Sequence, residues 1–200
     1  MKSRRTILFL TLILLASIVS PLNGEVERIT VSWNSAICNA HCAELIEKNF
    51  MNLQELDQVN VDPGRGVANL RWNPETPFSY APIRTSMAMV GAKINDIRVR
   101  VRGVVREEGK DVALYSLGDN TRFLLVSPIR PQPHRQTVLP HPSLRELDPG
   151  LRDRILVDAE QDKIMVIEGP LYKPSRSPPL MIVIERIQVE KKQAPRAGRK

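Results

Sequence analysis

Two cysteines, Cys38 and Cys42, are the whole thiol content of this 200-residue chain. They follow an alternating stretch, Ile29-Thr30-Val31-Ser32-Trp33, and precede a helix-like run, Ala43 to Met51. The pair is therefore expected on a turn between a strand and a helix. Two thiolates there can grip a soft metal ion, and a helix N-terminus beside them lowers a thiol pKa. A two-thiolate site suits Cu(I). His41, between the cysteines, would add a borderline ligand and favour Zn²⁺ or Cu²⁺. The candidate metal ligands are thus Cys38, Cys42 and His41, beside the plain reading of His41 as an exposed polar residue. Two further readings of the cysteines stand open. Outside the cytoplasm a disulfide persists, and residues four apart at a helix start can have Cα atoms within the roughly 4.4–6.8 Å that a bridge tolerates. The thiols can also be unused.

Other chemistry is sparse. There is no Gly-x-Gly-x-x-Gly and no Walker loop. Ser35, Ser79 and Ser143 lack a Gly-x-Ser-x-Gly setting. His134 and His141 lie in a Pro-rich stretch without a cysteine or carboxylate at ligand spacing. The carboxylates are scattered. No catalytic constellation stands out, so a binding or carrier protein is expected, not an enzyme. A thiol-disulfide reductant is a weaker reading, because the spacing is not Cys-x-x-Cys.

The ends of the chain bear on compartment and charge. Lys2, Arg4 and Arg5 precede an apolar run from Ile7 to Val19, and Pro21-Leu22-Asn23-Gly24 breaks it. This is the pattern of a signal peptide, expected over 1–24, with an uncleaved anchor as the alternative. The mature chain is expected to be periplasmic or secreted, with no stable membrane insertion after cleavage. The net charge of +7 comes from the ends: 21 basic and 22 acidic residues lie between Glu25 and Glu190. The body is nearly neutral, which argues against nucleic acid as a partner. The last ten residues, 191–200, read as a basic disordered tail.

What positions the cysteines is an order of elements. The strand at Arg28–Trp33 is followed by the cysteine turn and a helix over Ala43–Met51. Leu56, Val59 and Val61, the turn Asp62-Pro63-Gly64-Arg65-Gly66, and Val67, Leu70 and Trp72 form a hairpin pattern. A second helix is expected over Tyr80–Val90, with Pro82 in its first turn and Gly91 ending it. A strand from Ile94 to Val101 completes β-α-β-β-α-β, the split βαβ, ferredoxin-like arrangement. With a cysteine pair in the first strand-helix loop, residues Ile29 to about Val101 resemble the heavy-metal-associated domain family of copper chaperones, copper-ATPase N-terminal modules and periplasmic mercury-binding proteins. The resemblance implies soft-metal binding at the cysteine loop. This chain departs from the family pattern there. Cys42 matches the second family cysteine, Asn39 stands at the first, Cys38 is one residue early, and the methionine before the pair is absent.

Alternation continues without a linker through Ile97-Arg98-Val99-Arg100-Val101-Arg102-Gly103-Val104. A hairpin over Val112–Leu117 and Arg122–Val126 turns at Gly118-Asp119-Asn120. After a Pro-rich stretch, with a short helix expected at Leu144–Leu147 capped by Ser143, come apolar runs at Lys163–Gly169 and Leu180–Glu185. Five strands with the longest insertion between the third and fourth resemble an oligonucleotide/oligosaccharide-binding (OB) barrel. The expected fold class is therefore α+β: a ferredoxin-like βαββαβ domain over 25–97, then a small five-stranded OB-like β-barrel over 98–190. Arg98, Arg100 and Arg102 form a basic stripe that reads either as a binding face or as the solvated side of a half-buried strand. The expected function is an extracytoplasmic carrier of Cu(I) or a similar soft metal, with a protein partner. The alternative is a non-catalytic interaction or scaffold protein with a degenerate metal site, its cysteines bridged or idle.

Overall fold

The structure, a computed structural model, describes residues 26–128, 146–161, 163–176 and 178–190. The expected signal peptide, basic tail and His134 and His141 lie outside them. The described residues form an α+β protein with nine strands and three α-helices.

Strand β1 (Val26–Trp33) leads into α1 (Ala40–Met51), then β2 (Leu56–Asp62), β3 (Val67–Trp72), α2 (Tyr80–Met89) and the 15-residue β4 (Ile94–Glu108). The strands lie side by side in the order β2-β3-β1-β4, and each neighbouring pair is antiparallel. Alternation explains the layering. Ile29, Val31, Leu70, Ile97 and Val99 point to one face and are buried, as are Ile46 and Phe50 of α1 and Ile83 and Met87 of α2. The opposite face carries Arg28, Thr30, Asn60, Asn69 and Arg98. Ser79 caps α2, its side chain accepting from the Ala81 amide at 3.3 Å.

β4 does not stop where the first six elements end. The boundary expected at 97/98 falls inside it. Its first part pairs with β1, and its last part, from Gly103, pairs with β5 (Asp111–Ser116) on the same edge. β5 pairs with β6 (Arg122–Val126), and β6 with β8 (Leu180–Val183), this last pair parallel. On its other edge β4 pairs with β7 (Ile164–Pro170) through residues 98–104. A bridge between Leu171 and Ile182 links β7 back to β8, so the path β4-β5-β6-β8-β7-β4 closes. Closure needs glycine at two close approaches. A Cβ on Gly103 would lie 2.2 Å from the Tyr115 carbonyl oxygen, and one on Gly169 1.8 Å from that of Val183.

Two elements differ from the sequence reading. The helix expected at Leu144–Leu147 lies partly outside the described residues, and the helix described in this stretch is α3, Pro149–Ala159. Residues 146–148 are not helical. The cap is Asp148, which accepts from the amides of Gly150 and Leu151 at 3.1 and 3.3 Å, with Pro149 in the first turn. The run expected from Leu180 to Glu185 ends at Val183, and a further strand, β9 (Arg186–Val189), pairs with β7.

One core spans both parts. Phe78, before α2, meets Trp72 edge-on with ring centroids 5.0 Å apart, and Phe123 of β6 at 5.8 Å. The Phe78 amide donates to Asp119 Oδ2 at 3.0 Å and Thr121 Oγ1 at 2.8 Å, both in the β5–β6 hairpin.

Candidate functional site

The cysteine loop is built by two asparagines. Asn34 follows β1 and accepts at its carbonyl from the amides of Ile37 and Cys38, both at 3.1 Å, while its side chain accepts from the Ala36 amide at 3.0 Å. Asn39 is the N-cap of α1, its side chain accepting from the Cys42 amide at 3.1 Å. This cap starts the helix at Ala40, three residues earlier than the sequence pattern suggests. Cys42 therefore sits in the first turn of α1 rather than on the preceding turn, and only Cys38 lies in the loop.

The two sulfurs are bonded to each other, and the Cα atoms are 5.2 Å apart. Cys38 is buried against the core, with Cys42 packed partly against it. His41 points away. Its imidazole is 78% exposed, and its nearest charged partner is Glu44, equally exposed, with Nδ1 3.6 Å from Oε2. The structure thus brings Cys38 and Cys42 together as a disulfide and leaves His41 apart from them. Among the described residues, no group of three or more His, Cys, Asp or Glu side chains is gathered where it could hold a metal ion. The loop's most exposed apolar side chain is Ile37, at 82%.

The arginine stripe is engaged by carboxylates. Arg98 bonds to Glu185 in a very short contact, and its pKa is raised mainly by that hydrogen bond. Arg100 donates through Nε to Glu27 at 2.6 Å and lies 3.6 Å from Glu168. Arg102 pairs with Glu190 at 2.7 and 2.9 Å, holding that carboxyl below its ordinary range. The sequence shows the arginines but not these partners, which come from β1, β7 and the segment after β8.

A groove of about 390 Å³ crosses the open sheet face beside the stripe, lined by Glu27, Arg28, Gln58, Asn60, Asn69 and Arg71 along with Leu70. Leu70 apart, none of these was singled out by spacing, because the groove exists only through the register of three strands. A second cavity, about 360 Å³, lies where residues 78–84 meet residues 174–180. Comparison with known protein families, curated proteins and solved structures finds no match.

Proposed function

We propose that this chain is a non-catalytic interaction protein that works outside the cytoplasm, built from a ferredoxin-like half of the heavy-metal-associated type and an OB-like half. The order β2-β3-β1-β4, with a helix after β1 and another after β3, supports the first assignment. The β4-β5-β6 meander, the parallel β6–β8 pair, the return through β7 and a helix between β6 and β7 support the second. The observation that carries the functional reading is the Cys38–Cys42 bond. A soft metal needs thiolates, and the bond takes both away. It also staples a loop whose exposed tip is Ile37, a side chain suited to an apolar depression on a protein partner.

A second reading, a carrier of Cu(I) by the reduced chain, is favoured by the placement of both sulfurs at the start of α1, where a thiolate would be stabilised. A thiol count separates the two. Mature protein purified without reductant should show no free thiols and hold no copper in a chelator competition. Two free thiols and one tightly held Cu(I), lost in both Cys38→Ser and Cys42→Ser, would establish the carrier instead. For the interaction reading, a photo-crosslinking residue in place of Ile37 should trap a discrete partner in the producing cells, whereas one in place of Lys110 should not. Equal labelling at both positions would sink it.

A further inference from the structure

The open sheet face carries a row of like charges. Arg28 of β1 lies in register with Arg100 of β4. The ladder pairs Ile29 with Leu70, so Arg71 of β3 falls beside Arg28, and Arg71 is itself paired with Gln58 of β2. Three guanidiniums therefore cross β3, β1 and β4 in one line. Like charges directly opposite each other destabilise a sheet. Their neutralisation is one-sided. Arg100 has Glu27 and Glu168. Among the described residues Arg28 has only Glu168, at 3.8 Å, and its side chain is half exposed. The Arg71 side chain makes no hydrogen bond or ion pair with any described residue. The single carboxylate lining the groove, Glu27, is held by Arg100 Nε at 2.6 Å. Uncompensated positive charge thus collects at the β1–β3 end, where the groove lies.

The adjacent row is rich in amides from β2 to β1, and its β4 member, Arg98, is taken by Glu185. Asn60 of β2 pairs with Asn69 of β3, which pairs with Thr30 of β1. Thr30 Oγ1 donates to Asn69 Oδ1 at 3.0 Å, which leaves the Asn69 amide nitrogen to donate outward. Asn60 and Gln58 are exposed, and their side chains have no partner among the described residues. A carboxamide offers both donors and an acceptor, matching hydroxyl groups. Guanidinium matches carboxylate in a two-bond fork. The groove's volume is at the low end of small-ligand sites, roughly 300–1,000 Å³. No aromatic side chain lines it, so it lacks the stacking surface that single-stranded nucleic acid uses.

We infer that this groove binds acidic saccharides, with Arg28 and Arg71 taking a uronate carboxylate and Gln58, Asn60 and Asn69 taking ring hydroxyls. The inference rests on the sheet register and is independent of the state of the cysteines.

The test is titration of the purified full-length chain with a hexamer of galacturonic acid, followed by calorimetry and amide chemical shifts. Saturable binding is expected, with the shifts centred on β1, β2 and β3, and a neutral hexasaccharide should bind at least roughly tenfold more weakly, as loss of a charge-assisted fork implies. Arg71→Gln and Arg28→Gln should each weaken the uronate by roughly tenfold without lowering thermal stability. Arg71→Lys should recover only part, since lysine keeps the charge but not the fork. Arg65→Gln, in the β2–β3 turn, should change nothing. No saturable binding of the hexamer, or binding indifferent to the Arg28→Gln, Arg71→Gln double change, would overturn the assignment. Tighter binding of oligothymidylate or of an acidic peptide through the same two arginines in about 150 mM salt would also overturn it, making the groove a site for that other anion.

Discussion

The two ends of β4 are the same kind of sequence in two different settings. Residues 97–101 alternate Ile or Val with arginine and lie in an open sheet, with α1 and α2 packed on one face. Residues 102–108 keep much of the alternation but lie in the closed path β4-β5-β6-β8-β7. In the open part, Arg98 and Arg100 are neutralised by β7, the chain after β8 and Glu27 of β1, while the arginines toward β3 are neutralised only thinly. In the closed part, each charged group meets a nearby partner. Glu108 takes Arg122 and Tyr115, Glu107 takes Arg152, and Arg106 lies 5.0 Å over the Tyr115 ring. Alternation decides which face a side chain takes. The closure of the sheet decides whether its charge is satisfied. Among the described residues, the open sheet is therefore where polar groups remain unmet, and the closed path is where they are used up internally.

The strongest way to break this comparison is to cut the link between the parts. Phe78 touches Trp72 on one side and Phe123 on the other, and its backbone is held by Asp119 and Thr121. Phe78→Ala should cost about 3–5 kcal/mol, the range for removing a buried aromatic ring. If the parts share one core, urea unfolding followed by tryptophan fluorescence and by far-UV circular dichroism should still give coincident transitions at a lower midpoint. Separate transitions already in the wild-type chain would show two independent domains joined at β4.

Much of this was legible in the residues. Eight of the nine strands and the first two helices follow from alternation, helical spacing and the turn residues Gly66, Gly91 and Gly118, each at positive φ. The misses have physical causes. α3 was obscured by the preceding prolines, although Asp148-Pro149 is itself a helix-start signal. β9 has four residues, too few for alternation to stand out from the run before it. At the cysteines, the sequence left metal, disulfide and idle thiols open, because their separation depends on backbone set by Asn34 and Asn39. The groove was illegible, since Gln58, Asn69 and Arg28 are neighbours only through strand register.

A smaller effect, confined to the open part, is expected from the disulfide. Closing a loop this short restricts the unfolded chain by about 2 kcal/mol on the chain-entropy account. The Cys38→Ser, Cys42→Ser double variant should therefore melt roughly 4–8 °C lower. Circular dichroism should show an unchanged native spectrum, because Asn39 still caps α1. If the melting temperature does not move, the bond is not formed in the mature protein, and the loop is open to the carrier reading.

The smallest effect should come from the charges of the closed part, and it has a sign on each side of neutral pH. Arg122, then Tyr115, hold the Glu108 carboxyl below its ordinary value of 4.5 by hydrogen bonding to the charged form. The unfolded chain thus takes up the proton first. This contribution is complete above the unfolded value and is lost as pH falls through the folded one. The same contact acts in reverse on Tyr115, whose hydroxyl donates to Glu108 and is raised above 10.0. Its contribution is complete below the unfolded tyrosine value and is lost as pH rises through the folded one. Glu108→Gln should flatten both limbs of the stability–pH curve, and Tyr115→Phe mainly the alkaline limb. Each change should cost less than about 1 kcal/mol at neutral pH, because the pair is partly exposed and screened. Chemical denaturation at acid, neutral and alkaline pH reads both limbs. A Glu108→Gln curve parallel to wild type on the acid side would show that the charges of the closed path are no better satisfied than those of the open sheet.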